Sequence, residues 1–262
     1  MLKRLDVTRQ DTDDINELLS QLSGCKPAEH CYSDPFPAVE MEKLDPSEYA
    51  RSRNFLDGGV TRLSPFIRHG TITLNEVRNA ALLAVDEAKE AEKLIQELAW
   101  RDYWQRLYAA EPDAMWQDRE PYKTGFSPND YSADMPEDIL DGETGQAAID
   151  CLITELKKTG YLHNHARMYL AAYIVHWRRV KWQVGAKWFL WHLIDGDLAS
   201  NNFSWQWVAS TFANKPWFYN LENLQKYCGD KVNTSASDNR AFDHSYEELD
   251  LILFPNRRRD HA

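Results

Sequence analysis

The sequence predicts a mainly α fold, and three observations carry that prediction. Long stretches place apolar residues at helical spacing, no central stretch alternates with period two for long, and 11 Gly are few beside 10 Trp and 12 Tyr. Glycine loops that cradle phosphates in nucleotide-binding α/β folds are therefore scarce. An interior of flat rings suits helices packed around a flat, redox-active ligand. The 262 residues suffice for one full core.

Residues 1–48 are polar and interrupted by Pro27, Pro35, Pro37 and Pro46, which predicts a short helix and an extended arm rather than a domain. Thr73 and Glu76 stand at capping-box spacing, so a helix starts there and runs to about Val85. Asp86 to Ala110 has helical spacing without Gly or Pro and predicts one long helix ending near Pro112. Pro, Asp and Gly between Pro112 and Gly142 predict an ordered loop. Helical patterning returns at Gln146 to Lys158, stops at the Thr159–Gly160 turn, and resumes at about His163 to Arg179 and at Gly185 to Ile194. DGDLASNN then carries turn and cap residues, and SWQWVAST starts a further helix. Beyond Gly229 the sequence predicts a polar tail with a short helix at Tyr246 to Phe254 and a basic end, Arg257 to Arg259. The expected organisation is an arm (1–48), a helical domain (49–228) and a polar tail (229–262).

Composition then narrows function. With 43% hydrophobic and 27% charged residues the chain is not largely disordered. A net charge of −11 repels duplex DNA unless the binding face carries a local basic patch. Cys25, Cys31, Cys151 and Cys228 form no CxxC pair, so neither a zinc ribbon nor a disulfide framework is indicated. No apolar run approaches the roughly 20 residues of a membrane span, and the start lacks the apolar core of a signal peptide. The expectation is a cytoplasmic protein without a membrane partner.

Three separated segments combine acids, amides, an arginine and indoles. In ELAWRD, Glu97, Trp100 and Arg101 fall at i, i+3 and i+4 and share a face. Alone, this triplet reads as an amphipathic helix with solvated Glu and Arg and a packed Trp. In TGYLHNHARMYLAAY, Asn164, Arg167 and Met168 repeat the spacing, placing a polar pair beside a thioether. HLIDGDLASNNFSWQWVAST concentrates Asp195, Asp197, Asn201, Trp205 and Trp207. An aspartate pair is a metal ligand, a helix cap or an arginine partner, and no third ligand at metal spacing accompanies this one.

Taken together and in order, these segments resemble the photolyase and cryptochrome family over most of residues 49–211. The resemblance implies an all-helical domain that holds FAD bent into a U. Residues 1–48 are too few for the family's N-terminal α/β antenna domain, so the expected fold is the FAD-binding domain without it. By the resemblance, Tyr49, Thr61, Arg62, Leu63 and Ser64 hold the phosphates, with Val60 where the family usually has a hydroxyl. Arg101, Asn164, Arg167, Asp195, Gly196, Asp197 and Asn201 complete the cofactor set, with Asn201 facing the flavin's reactive nitrogen. Trp205 matches the flavin-proximal indole of the photoreduction chain and Trp182 the middle one. The distal indole has no clear match: Asn129 stands there, Tyr131 is the nearest aromatic, and Trp188 and Trp191 are other candidates.

Glu97, Trp100, Asn164, Met168 and Trp207 match the residues that contact a flipped pyrimidine dimer. The implied activity is blue-light photorepair, in which reduced FAD lends an electron to the dimer and Glu97 stabilises its radical anion. Its partner is damaged DNA, single-stranded DNA included. The alternative is a cryptochrome-like photoreceptor with a signalling protein partner. His165 in place of an arginine, the absence of the usual basic residue from NKPWFYNLENL, and the negative charge favour that alternative, whereas Tyr161 replaces a tryptophan conservatively.

Overall fold

The computed structural model describes residues 41–257, which are mostly helical and contain no strand. Most of the expected arm, and the basic end beyond Arg257, lie outside the described residues. The helices are α1 (Pro46–Ser52), α2 (Ser64–Arg68), α3 (Leu74–Leu83), α4 (Glu92–Ala110), α5 (Glu137–Asp141), α6 (Ala147–Thr159), α7 (Asn164–Ala172), α8 (Trp182–His192), α9 (Leu198–Ala209), α10 (Leu221–Cys228) and α11 (Tyr246–Leu253).

Local chemistry sets several boundaries. Thr73 caps α3 as expected: its hydroxyl accepts from Glu76 N at 3.2 Å, and the Glu76 carboxylate accepts the Thr73 N–H at 2.7 Å. The single helix expected from Asp86 is divided. Glu87 is extended, the chain makes a 3-10 turn at Ala88–Ala91, and α4 begins only at Glu92. Here Glu87 and Glu90 form their own capping box, which competes with continuation of the helix. The stretch expected as helix to Arg179 is α7 followed by a π-turn at Tyr173–Trp177, and Arg179 takes a positive φ of 51°. α9 starts earlier than SWQWVAST suggests, directly after Asp197, whose carboxylate caps Ser200 N at 2.7 Å. Asn201 and Asn202 tolerate the helix interior because their side chains reach Ala186 O and Met115 O on other segments.

The main core joins α6, α7, α8 and α9. On α6, Ala148, Ile149, Leu152, Ile153 and Leu156 are all buried, an i, i+3/i+4 stripe. Each large side chain of that stripe contributes roughly 1.5–3 kcal/mol relative to exposure. Gly160 ends α6 in the left-handed region, φ 65°, with its N–H on Leu156 O. A second cluster, Leu63, Ile72, Val77, Ala81, Ala91 and Leu94, packs α2 and α3 on the start of α4.

The stretch expected as a loop between Pro112 and Gly142 carries 3-10 turns and α5, and Arg178 pins it with two hydrogen bonds to Asp138 at 2.6 and 2.9 Å. The polar tail expected beyond Gly229 is, as far as Arg257, packed against the domain. Phe242, Leu249, Leu253 and Phe254 are buried, and Trp177 Nε1 donates to Ala241 O at 3.1 Å. Leu251 and Ile252 of the same helix are exposed, so α11 buries one face only.

Candidate functional site

The site is built on the turn between α8 and α9, where Asp195 and Asp197 flank Gly196. Asp195 is 3% exposed and accepts from Arg167 Nη2 at 2.7 Å and from the Ser64 hydroxyl at 2.6 Å, both on Oδ2. Its Oδ1 is buried and has no hydrogen-bond partner among the described residues. Arg167 also donates to Leu162 O at 2.9 Å, which fixes the guanidinium's plane. Asp197 serves two elements at once: Oδ1 caps α9, while Oδ2 accepts from Gln105 at 2.6 Å and lies 3.4 Å from Arg101 Nη2. The same turn is tied to α2 from outside, by Arg68 Nε on Gly196 O at 2.7 Å and His69 Nε2 near Ile194 O at 2.8 Å.

Arg62 and Arg167 both lie against the Tyr161 ring, at 5.8 and 5.4 Å from its centroid. Arg62 holds a positive φ of 52°, uncommon for a residue other than glycine. Thr61 is half-buried beside it, and Leu63 turns its side chain into the second core cluster. Tyr49 is half-buried, and burial together with the Glu97 carboxylate pushes its hydroxyl up to about 12.

Two histidines sit beside these arginines. His163 caps α7 by accepting from His165 N at 3.0 Å, so its Nδ1 is unprotonated and its Nε2 carries the hydrogen. Burial, then the Arg167 charge, holds His163 down at about 4. Burial, then His163, does the same for His165, which packs among Tyr169, Trp217 and Tyr227.

The remaining expected residues separate into interior and rim. Trp182 and Trp205 are buried, at 0% and 2% exposure. The Trp205 ring lies on the backbone of Gly185, where a Cβ would fall 2.2 Å from Cη2. Asn201 donates to Ala186 O at 3.1 Å. At the rim, Trp100 and Trp207 are exposed, Asn164 is exposed at the start of α7, and Met168 is half-buried. Trp100 stacks on Trp104 at 5.4 Å. Glu97 is held by Arg53 at 3.2 Å and Lys93 at 2.9 Å. A surface cleft of about 330 Å³ beside Lys93 is lined by Ser47, Ala50, Lys89, Glu90, Glu92 and Gln96, none of which belongs to the aspartate turn.

Sequence reasoning missed Gln105, Arg68 and His69. Gln105 had a signal, since it stands four residues after Arg101 on the same face of α4. Arg68 and His69 had none, because they reach the turn only across the tertiary fold. Among the described residues no group of three or more His, Cys, Asp or Glu could hold a metal ion, and no helix is long and apolar enough to cross a membrane.

Comparison with known proteins gives this arrangement a context. The chain is 34% identical over 171 residues to a protein of Streptomyces griseus named deoxyribodipyrimidine photo-lyase, covering 63% of this chain and 35% of that one. It is similar to the crystal structure of an archaeal photolyase from Sulfolobus tokodaii, with a TM-score of 0.59, 27% identity, and coverage of 72% of this chain and 42% of that one. It shares its fold with a Synechocystis cryptochrome, with a TM-score of 0.66, 20% identity, and coverage of 87% and 50%. The chain spans 33% to 49% of the length of the curated relatives it matches. A sequence model described as the FAD binding domain of DNA photolyase matches residues 94–240, more than half of the chain and all of the aspartate turn. The chain therefore belongs to the family of the FAD binding domain of DNA photolyase.

Proposed function

We propose that this chain uses bound FAD and blue light to split pyrimidine dimers in DNA, as a photolyase-like lyase. The observation that carries the reading is the aspartate turn. Asp195, clamped by Arg167 and Ser64, keeps one buried oxygen without a partner, and so retains an acceptor for a ligand's N–H.

The residues present fit the cofactor. Arg62 supplies a guanidinium suited to a pyrophosphate, and the turn supplies carboxylates for a ring with N–H donors. When bound, FAD supplies light absorption and the transferable electron. Tyr49, Thr61, Arg62, Leu63 and Ser64 would hold its phosphates, and Arg101, Asn164, Arg167, Asp195, Gly196, Asp197 and Asn201 its remaining groups. Arg167 and Asp195 place a cation and an anion side by side, which gives the site fixed dipoles in a water-poor interior. Glu97, Trp100, Asn164, Met168 and Trp207 would receive the dimer at the rim, with the exposed indoles stacking on the extruded bases. The named activity of the Streptomyces relative supports this reading.

A second reading, a cryptochrome-like photoreceptor with a protein partner, has its own support. The Glu97 carboxylate is already engaged by Arg53 and Lys93, and buried His165 stands where an arginine would approach DNA. The two readings separate in one experiment. The purified, reduced protein is illuminated with dimer-containing single-stranded and duplex oligonucleotides, and photorepair predicts loss of dimers in light and not in darkness. No loss on either substrate removes the repair reading. Light-dependent protease sensitivity beyond Gly229 without DNA affinity is the outcome expected of the photoreceptor.

A further inference from the structure

Resting on the light-driven reading above, we propose that Trp116 is the outer member of the indole chain and the residue through which its electrons are replaced from solvent. The segment that carries it reads as a loop in the sequence, and only the fold brings it to α8. Its ring lies parallel to that of Trp182, with an interplanar angle of 4° and centroids 6.3 Å apart. That is an offset stack within the usual range for aromatic pairs, so the two π-systems are in near contact.

The proposed outer end of the chain is its exposed end. Trp205 lies against Gly185, one turn along α8 from Trp182, and both indoles are buried. Trp116 is half-buried and so meets water. The other candidates are placed elsewhere. The ring contacts of Trp188 are with Phe189 and His192 of its own helix, and Tyr131 is buried against Tyr122 with its hydroxyl on Thr124.

The surroundings assign a direction. Trp182 Nε1 donates to Asp118 Oδ1 at 2.6 Å, and a carboxylate there lowers the cost of positive charge on Trp182. Lys187 Nζ stands 5.4 Å over the Trp116 ring and opposes positive charge on it. A hole reaching Trp116 is therefore retained by loss of a proton rather than by staying charged. With FAD bound, Trp205 would give one electron to the light-excited flavin, Trp182 would refill Trp205, and Trp116 would refill Trp182. Trp116 then releases its Nε1 proton to water. An external thiol afterwards returns the electron, and solvent the proton.

The test has two readouts. In the flavin-free protein, circular dichroism in the indole bands should show the coupled signal of two parallel rings, lost in Trp116→Phe and kept in Trp188→Phe; an unchanged spectrum in Trp116→Phe overturns the stack. In the FAD-loaded protein under blue light with a thiol, Trp116→Phe should slow bleaching of the oxidised flavin roughly tenfold at equal FAD content. Trp188→Phe and Trp191→Phe should bleach as the wild type does. Bleaching in Trp116→Phe at the wild-type rate overturns the relay alone. A wild type that does not bleach overturns the photochemical reading and the relay with it.

Discussion

Gly185 shows how tightly the interior fixes the indoles. On an exposed helix face, Gly→Ala is stabilising by about 1 kcal/mol, because alanine is the better helix former. Here the added Cβ would meet the Trp205 ring at 2.2 and 2.4 Å, on a side chain that is itself 2% exposed and has nowhere to retreat. Overpacking of this kind costs typically 1–3 kcal/mol, so it outweighs the propensity gain. Gly185→Ala is expected to lower the urea midpoint and weaken FAD retention, and a raised midpoint would contradict the packing described. At this scale, much of the site was legible in the sequence. Asn164, Arg167 and Met168 share a face by spacing alone, and the two aspartates stand two residues apart in the chain. Trp116 and Asp118 were not legible, because a stack across 66 residues of sequence leaves no periodicity.

Among the elements, α6 depends most plainly on a distant segment. The amide of Ala148, in its first turn, is buried and donates to Asn239 Oδ1 at 2.9 Å, while Asn239 Nδ2 donates to Asn233 O and Ser235 O. Asn239 therefore caps a helix that lies 91 residues earlier in the chain. Removing it leaves a buried N–H without a partner, which costs about 1–3 kcal/mol. Asn239→Ala should accordingly lose stability on that order in chemical denaturation, and Asn239→Asp should not rescue it, because its buried carboxylate would face the Asn233 and Ser235 carbonyls that the amide now donates to. A loss confined to the C-terminal segment, with α6 amides as protected from exchange as in the wild type, would refute the capping role. Elements with local signals, such as α3 with its Thr73 capping box, could be read from the sequence. The short helices α1 and α2 could not, since each buries a single residue and carries too few turns to show a period.

Over the whole molecule, three buried histidines couple folding to pH. His163 and His165 are held at about 4 and His176 at about 3, in each case first by burial, against the ordinary 6.5. His176 accepts no charge easily, because it lies 1% exposed; its Nε2 contact with Val208 O at 3.0 Å favours the charged form but does not offset burial. All three are neutral in the folded protein where the unfolded chain would already bind protons. Stability is then complete above 6.5 and falls as pH drops from 6.5 toward 4. A second effect opposes it: the chain carries −11 at neutral pH, and protonation relieves that repulsion. The repulsion acts between surface charges and is screened beyond about 8 Å at physiological ionic strength, whereas the cost of charging a buried imidazole is local and unscreened. The burial effect should therefore win, and the urea midpoint should decline steadily between about pH 6.5 and pH 4.5. His176→Phe, which removes the most buried of the three, should flatten that decline, and a midpoint that rises with acidification would mean that charge repulsion governs instead.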